Sequence, residues 1–88
     1  MKYMVTWSIA PENIEAAVKR SKEQGDAEIP GIKSLGLWFE GGTGRGFTLF
    51  ETEDPIALTK SLAVWADLVD QKIVPVVDGE EFAKAISD

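Results

Sequence analysis

What this chain lacks narrows its chemistry first: none of its 88 residues is a cysteine or a histidine. Disulfides, thiol nucleophiles, imidazole acid–base catalysis, His-bearing triads and ordinary zinc sites all need one or the other. What remains is carboxylates, hydroxyls, lysine, arginine and the phenol of Tyr3, the single tyrosine. Carboxylates alone can hold magnesium or calcium, but no stretch has the spacing of a calcium-binding loop. The reading is therefore no metal site and no cofactor.

Four residues stand out as possible contacts for a small molecule: Trp7, Trp65, Arg45 and Tyr3. Trp7 and Trp65 fall at core-facing positions of a predicted strand and helix, where packing is their ordinary role. The sharper alternative is an aromatic pocket between sheet and helices. Arg45 can clamp a carboxylate with two parallel hydrogen bonds, although a solvated arginine in a turn is the commoner case. Tyr3 can donate a hydrogen bond or simply anchor the chain start. The run Gly42-Thr43-Gly44-Arg45-Gly46 invites comparison with a phosphate loop. Such a loop must open a helix whose N-terminus meets the anion. Strand-forming residues follow here, so the glycines read as turn residues supplying positive φ.

The elements that would position these side chains centre on Ile32 to Asp54, two strands folded back around Gly41-Gly42-Thr43-Gly44. Before it, Tyr3, Val5, Trp7 and Ile9 alternate with Met4, Thr6 and Ser8, which predicts a strand. Pro11 and Glu12 suit the first turn of a helix. Ile14, Ala17, Val18 and Ser21 give that helix its buried stripe, and Gly25 ends it. In the hairpin, pairing Glu40 with Gly46 across a five-residue turn puts Leu35, Leu37, Phe39, Phe47 and Leu49 on one face. Gly36, Trp38, Thr48 and Phe50 then share the other. Glu40 and Glu51 fall on opposite faces in that register, which rejects them as a paired acid and base. Asp54-Pro55 starts a second helix running to about Val69, with Leu58, Leu62, Trp65 and Val69 inward. Lys72 to Val77 is a strand that Pro75 confines to a sheet edge. Asp78 and Glu81 have capping-box spacing ahead of a short terminal helix.

Strand, helix, strand, strand, helix, strand with right-handed crossovers makes an α+β sandwich: a four-stranded antiparallel sheet in ferredoxin-like arrangement, spatial order 4-1-3-2. Both crossovers lie on the same side, so the other sheet face is bare. That face should present Met4, Thr6, Trp38, Thr48, Phe50, Val74 and Val76, an apolar patch on the order of several hundred Å² that favours a homodimer. A single domain of this length buries only roughly 60–65% of its unfolded surface, so an oligomer interface would add to its core. The formal charge of −6 argues against a nucleic-acid partner. No apolar run approaches a membrane span, and Met1 to Val5 lacks the apolar core of a signal peptide, so the expected compartment is the cytoplasm and no membrane is involved.

Three segments together, KYMVTWSI-APEN, LGLWFEGGTGRGFTLFETEDP and WADLVD-KIVPVVD, resemble a small bacterial family classed as a domain of unknown function, itself similar to the dimeric α+β barrel superfamily. The resemblance spans nearly the whole chain, and the hairpin is its most specific part. It implies a ferredoxin-like subunit that pairs sheet to sheet, and no established activity. Three functions stay open. The first is a non-catalytic dimeric module, binding at most a small apolar or aromatic molecule. The second is a cofactor-free enzyme in the monooxygenase or isomerase style, as found in the wider superfamily. The third is a dimeric protein-interaction scaffold. A cavity lined by Trp7 and Trp65 with an unpaired polar group would favour the enzyme; a filled core would favour the other two.

Overall fold

The computed structural model describes residues 1–24 and 30–87. Strand β1 (Lys2–Ile9) leads through a 3-10 turn at Pro11–Asn13 into helix α1 (Ile14–Gln24). Strands β2 (Lys33–Glu40) and β3 (Arg45–Glu51) form the hairpin, then come α2 (Pro55–Ala63), β4 (Val69–Val76) and α3 (Gly79–Ser87). This is a small α+β fold with three helices and one open sheet of four antiparallel strands. Across it the strands run β2-β3-β1-β4, which is 4-1-3-2 counted from the β4 edge. Pro75 lies in β4, an edge strand, where its missing N–H leaves no ladder bond unmade. The helix end assigned to Gly25 lies outside the described residues.

The hairpin register differs from the expected one by a single residue. Glu40 pairs with Arg45, so the turn is Gly41–Gly44 and every later pair shifts. Directly opposed residues of an antiparallel ladder share a face. Trp38 therefore stands with Phe47, and Leu37 with Thr48. Phe47 and Leu49 are on the face of Met4 and Thr6, whereas Thr48 and Phe50 are on the face of Tyr3 and Val5. Leu35 falls in an irregularity between Ser34 and Gly36. Two glycines account for the shift. Gly44 has φ of +73°, and a Cβ there would lie 2.7 Å from the Ile9 carbonyl oxygen. Gly46 lies beneath the indole of Trp7, and a Cβ would come within 2.2 Å of that ring. Only a register that sets Gly46 opposite Trp7 gives the tryptophan its place.

The second helix is also shorter than its apolar stripe suggests, ending at Ala63 rather than near Val69. Residues 64–68 form turns closed by i→i+3 bonds from the Trp65, Ala66 and Leu68 N–H groups. Side chains from elsewhere also donate to carbonyls here: Gln71 Nε2 to Leu62 at 2.9 Å, beside the Trp65 N–H, and Arg20 Nη1 to Val64 at 2.8 Å. Val69, Asp70 and Gln71 then join β4, pairing with Ile9, Ser8 and Trp7. The helix starts were legible. Asp54 Oδ1 accepts from the Ile56 and Ala57 N–H groups at 3.1 and 3.0 Å. Asp78 Oδ1 accepts from the Glu81 N–H at 2.7 Å, with the reciprocal bond at 3.4 Å.

The core between helices and sheet is thin. Val5, Ala17 and Leu58 are its buried apolar residues among those described, with Thr52 the buried polar one. Ile14 and Val18, expected inward on α1, are exposed, as is every residue of α3. The radius of gyration is 14.6 Å, against about 12 Å for a compact chain of this length.

Candidate functional site

The two sheet faces carry different side chains. On the helix-covered face, Trp7 meets Phe39 edge to face, with centroids 5.2 Å apart and planes at 78°. Its indole Nε1 donates to Thr48 Oγ1 at 3.3 Å, so the polar edge of the ring is satisfied internally. Trp65 is elsewhere, in the turn after α2, with the Arg20 guanidinium 5.6 Å above its ring. Arg20 is fixed there by a two-pronged pair with Asp67, at 2.7 and 2.8 Å. That hydrogen bonding holds the Asp67 carboxyl below its ordinary range. Among the described residues no buried side-chain polar atom lacks a partner. Nor does any group of three or more Asp and Glu gather as a metal site would require.

The four expected ligand contacts are thus not brought together. Trp7 and Arg45 both line one open depression of about 200 Å³, along with Thr6, Ser8, Phe47, Asp70 and Lys72. Trp65 and Tyr3 do not line it. Tyr3 is half-buried on the helix-covered face, between Phe50 and Pro75 on the neighbouring strands.

The other face, opposite buried Val5, carries Met4, Thr6, Phe47, Leu49, Val74 and Val76 half-buried and Trp38 exposed. Its two middle cross-strand rows are Trp38–Phe47–Thr6–Lys72 and Gly36–Leu49–Met4–Val74. With Val76 in the next row, they make an apolar belt across all four strands. Trp38 lies folded over Gly36, whose Cβ would come within 2.3 Å of the ring, and remains 51% exposed. Of the seven residues the sequence assigns to this face, Met4, Thr6, Trp38, Val74 and Val76 are on it. Thr48 and Phe50 are not, because the one-residue register shift turns them to the helix side. Phe47 and Leu49 take their place, a more apolar pair than the one expected. The signal for them was Gly46: a glycine opposite a tryptophan fixes the parity of the strand that contains it.

Glu40 and Glu51 now share this face instead of lying on opposite ones, yet they occupy its opposite ends. About six residues of strand at ~3.4 Å each separate them, too far for joint acid–base work.

No helix among the described residues is long and apolar enough to cross a membrane. No curated protein matches the sequence. The sequence does match, over residues 1–88, the family described as Domain of unknown function (DUF3303). A match over the full length, on a chain whose hairpin and capped helices fold as described, shows membership: the protein belongs to the DUF3303 family.

Proposed function

We propose that the protein is a non-catalytic homodimeric module of ferredoxin-like type, two subunits packing sheet to sheet in the manner of the dimeric α+β barrels. The observation that carries this reading is the belt of Met4, Trp38, Phe47, Leu49, Val74 and Val76 on the sheet face opposite buried Val5. A contiguous apolar belt on the face away from the core marks a contact surface, and self-pairing about a twofold axis is the commonest way to cover one. The thin core supports the same reading, since the buried area missing from the monomer is available at the interface. Light scattering at micromolar concentration should give the mass of two chains. Trp38→Glu should give the mass of one, because it sets an unpaired charge in a desolvated contact. A wild type with the mass of one chain would defeat the proposal.

Against a cofactor-free enzyme stands the satisfied indole of Trp7 and the absence, among the described residues, of an orphaned buried polar group to activate a substrate. The ligand class that suits the helix-covered face is a flat apolar or aromatic molecule. Phe39 is 70% exposed beside Trp7, with Leu37 next to it on the same face. Titration with aromatic carboxylates should quench tryptophan emission, and Phe39→Ala should weaken the response. An unchanged spectrum across the series would remove the ligand and leave the dimer.

A further inference from the structure

The face opposite Val5 is bounded at each end by a row of charges, and on the hairpin strands the two rows are complementary. At one end the row reads Glu40–Arg45–Ser8–Asp70, from β2 to β4. At the other it reads Lys33–Glu51–Lys2–Val76. On β2 and β3 acid in one row answers base in the other, Glu40 against Lys33 and Arg45 against Glu51, while Lys2 of β1 is already paired with Asp78 and Glu81. The two members of each match lie at opposite ends of one strand, too far apart to meet within a chain. A second copy brings them together if it is turned end for end.

Resting on the sheet-to-sheet reading above, we infer that the two copies pair about a twofold axis running across the strands, so that Arg45 and Glu40 of each chain meet the partner's Glu51 and the partner's Lys33. The alternatives are worse electrostatically. An axis along the strands sets Glu40 over the partner's Asp70. The two diagonal axes set Asp70 over the partner's Asp70, or Glu40 over the partner's Glu40. Each places like charges together in a contact where such juxtaposition is costly. The transverse axis alone produces no like-charge pair in these rows. It also lays Phe47 on the partner's Leu49 and Thr6 on the partner's Met4, which closes the apolar belt on itself. The depression of about 200 Å³ beside Arg45 receives the partner's Glu51 and its neighbours from above. Aligned sheets cross at about 30° and lie about 10 Å apart, a gap that an arginine and a glutamate span together. Among the described residues, Arg45, Glu51, Glu40 and Lys33 form no ion pair within the chain. An apolar centre with a charged rim is the anatomy of a protein–protein contact.

A charge swap tests the axis. Arg45→Glu alone sets acid against the partner's Glu51 at both ends of the dimer, and Glu51→Lys alone sets base against the partner's Arg45. Each homodimer should weaken by about tenfold or more in Kd. Mixed in equal amounts, the two variants restore an opposite-charge pair at both ends. Native mass spectrometry should therefore show the mixed dimer in clear excess over either homodimer. A fault within one chain stays with that chain and is not repaired by mixing, so rescue reports the contact itself. If both variants dimerise as the wild type does, the axis is wrong and the sheet-to-sheet dimer stands. If the variants are folded by circular dichroism but remain monomeric when mixed, the pairing is wrong. A monomeric wild type overturns the dimer and the axis together. Should either variant not fold, Glu40→Lys mixed with Lys33→Glu poses the same question on β2, with the same outcomes deciding it.

Discussion

Thr52 shows how much a single side chain holds here. It is buried, its hydroxyl donates to the Gly31 carbonyl oxygen at 2.8 Å, and it accepts from the Asp54 N–H at 3.0 Å. One oxygen thus ties the approach to β2, the end of β3 and the cap of α2. Thr52→Val keeps the shape and leaves both backbone groups without that partner. It should destabilise the fold by about 1–3 kcal/mol. A denaturant midpoint equal to wild type, at unchanged slope, would show that water replaces the hydroxyl at no cost. Nothing in the sequence marks this threonine, because a Thr after a strand is ordinary and its partners sit on other segments. Asp54 two residues later was legible, since its partners are the next N–H groups of its own helix. The two tryptophan–glycine pairs divide the same way. Trp38 covers Gly36 within one strand, whereas Trp7 covers Gly46 across two.

Among the elements, the turn between α2 and β4 departs most from its local pattern. Leu58, Leu62, Trp65 and Val69 have helical spacing, yet the helix stops at Ala63. Arg20 of α1 fixes the turn by gripping Asp67 and the Val64 carbonyl oxygen, with Trp65 packed under its guanidinium. The pair has a readable pH dependence. Asp67 has a folded-state pKa lowered from 3.8, chiefly by its hydrogen bonds from Arg20. A lowered carboxylate pKa stabilises the fold above the unfolded value, and the contribution is lost as pH falls through the folded one. Acid titration should therefore release Arg20 from Trp65 only below the ordinary aspartate range. Tryptophan emission should show a change there that Asp67→Asn lacks. The same transition in both proteins would assign it to another carboxylate.

At the scale of the whole molecule, the monomer is thin: 18 Å in its shortest dimension, with three buried apolar residues among those described. Outside the helix–sheet core, Trp38 on the opposite sheet face is 51% exposed, and Phe82 and Ile86 of α3 are exposed as well. Stability supplied by a partner copy depends on concentration, because association binds the folded chain and not the unfolded one. The Tm should rise by a few degrees when protein concentration is raised ~100-fold. Trp38→Glu should have a lower Tm that does not move with concentration. A wild-type Tm equally insensitive to concentration would mean that the thin core suffices alone.

The sequence by itself determined the order of the elements, the helix starts and the edge position of β4. Each of these rests on bonds or steric limits within a few residues: Asp54 with Pro55, Asp78 with Glu81, and Pro75 with its missing N–H. Tertiary structure alone decided the hairpin register, the end of α2 and hence the contents of the face opposite Val5. A glycine-rich turn tolerates either four or five residues, so local chemistry left the parity of β3 open. The indole of Trp7 closed it by requiring Gly46 beneath it, a contact between residues 39 positions apart. The last turn of α2 likewise gave way to Gln71 and Arg20, whose side chains reach its carbonyls from other elements. Where the deciding partner is distant in sequence, periodicity cannot see it, and that is why Phe47 and Leu49, rather than Thr48 and Phe50, face outward.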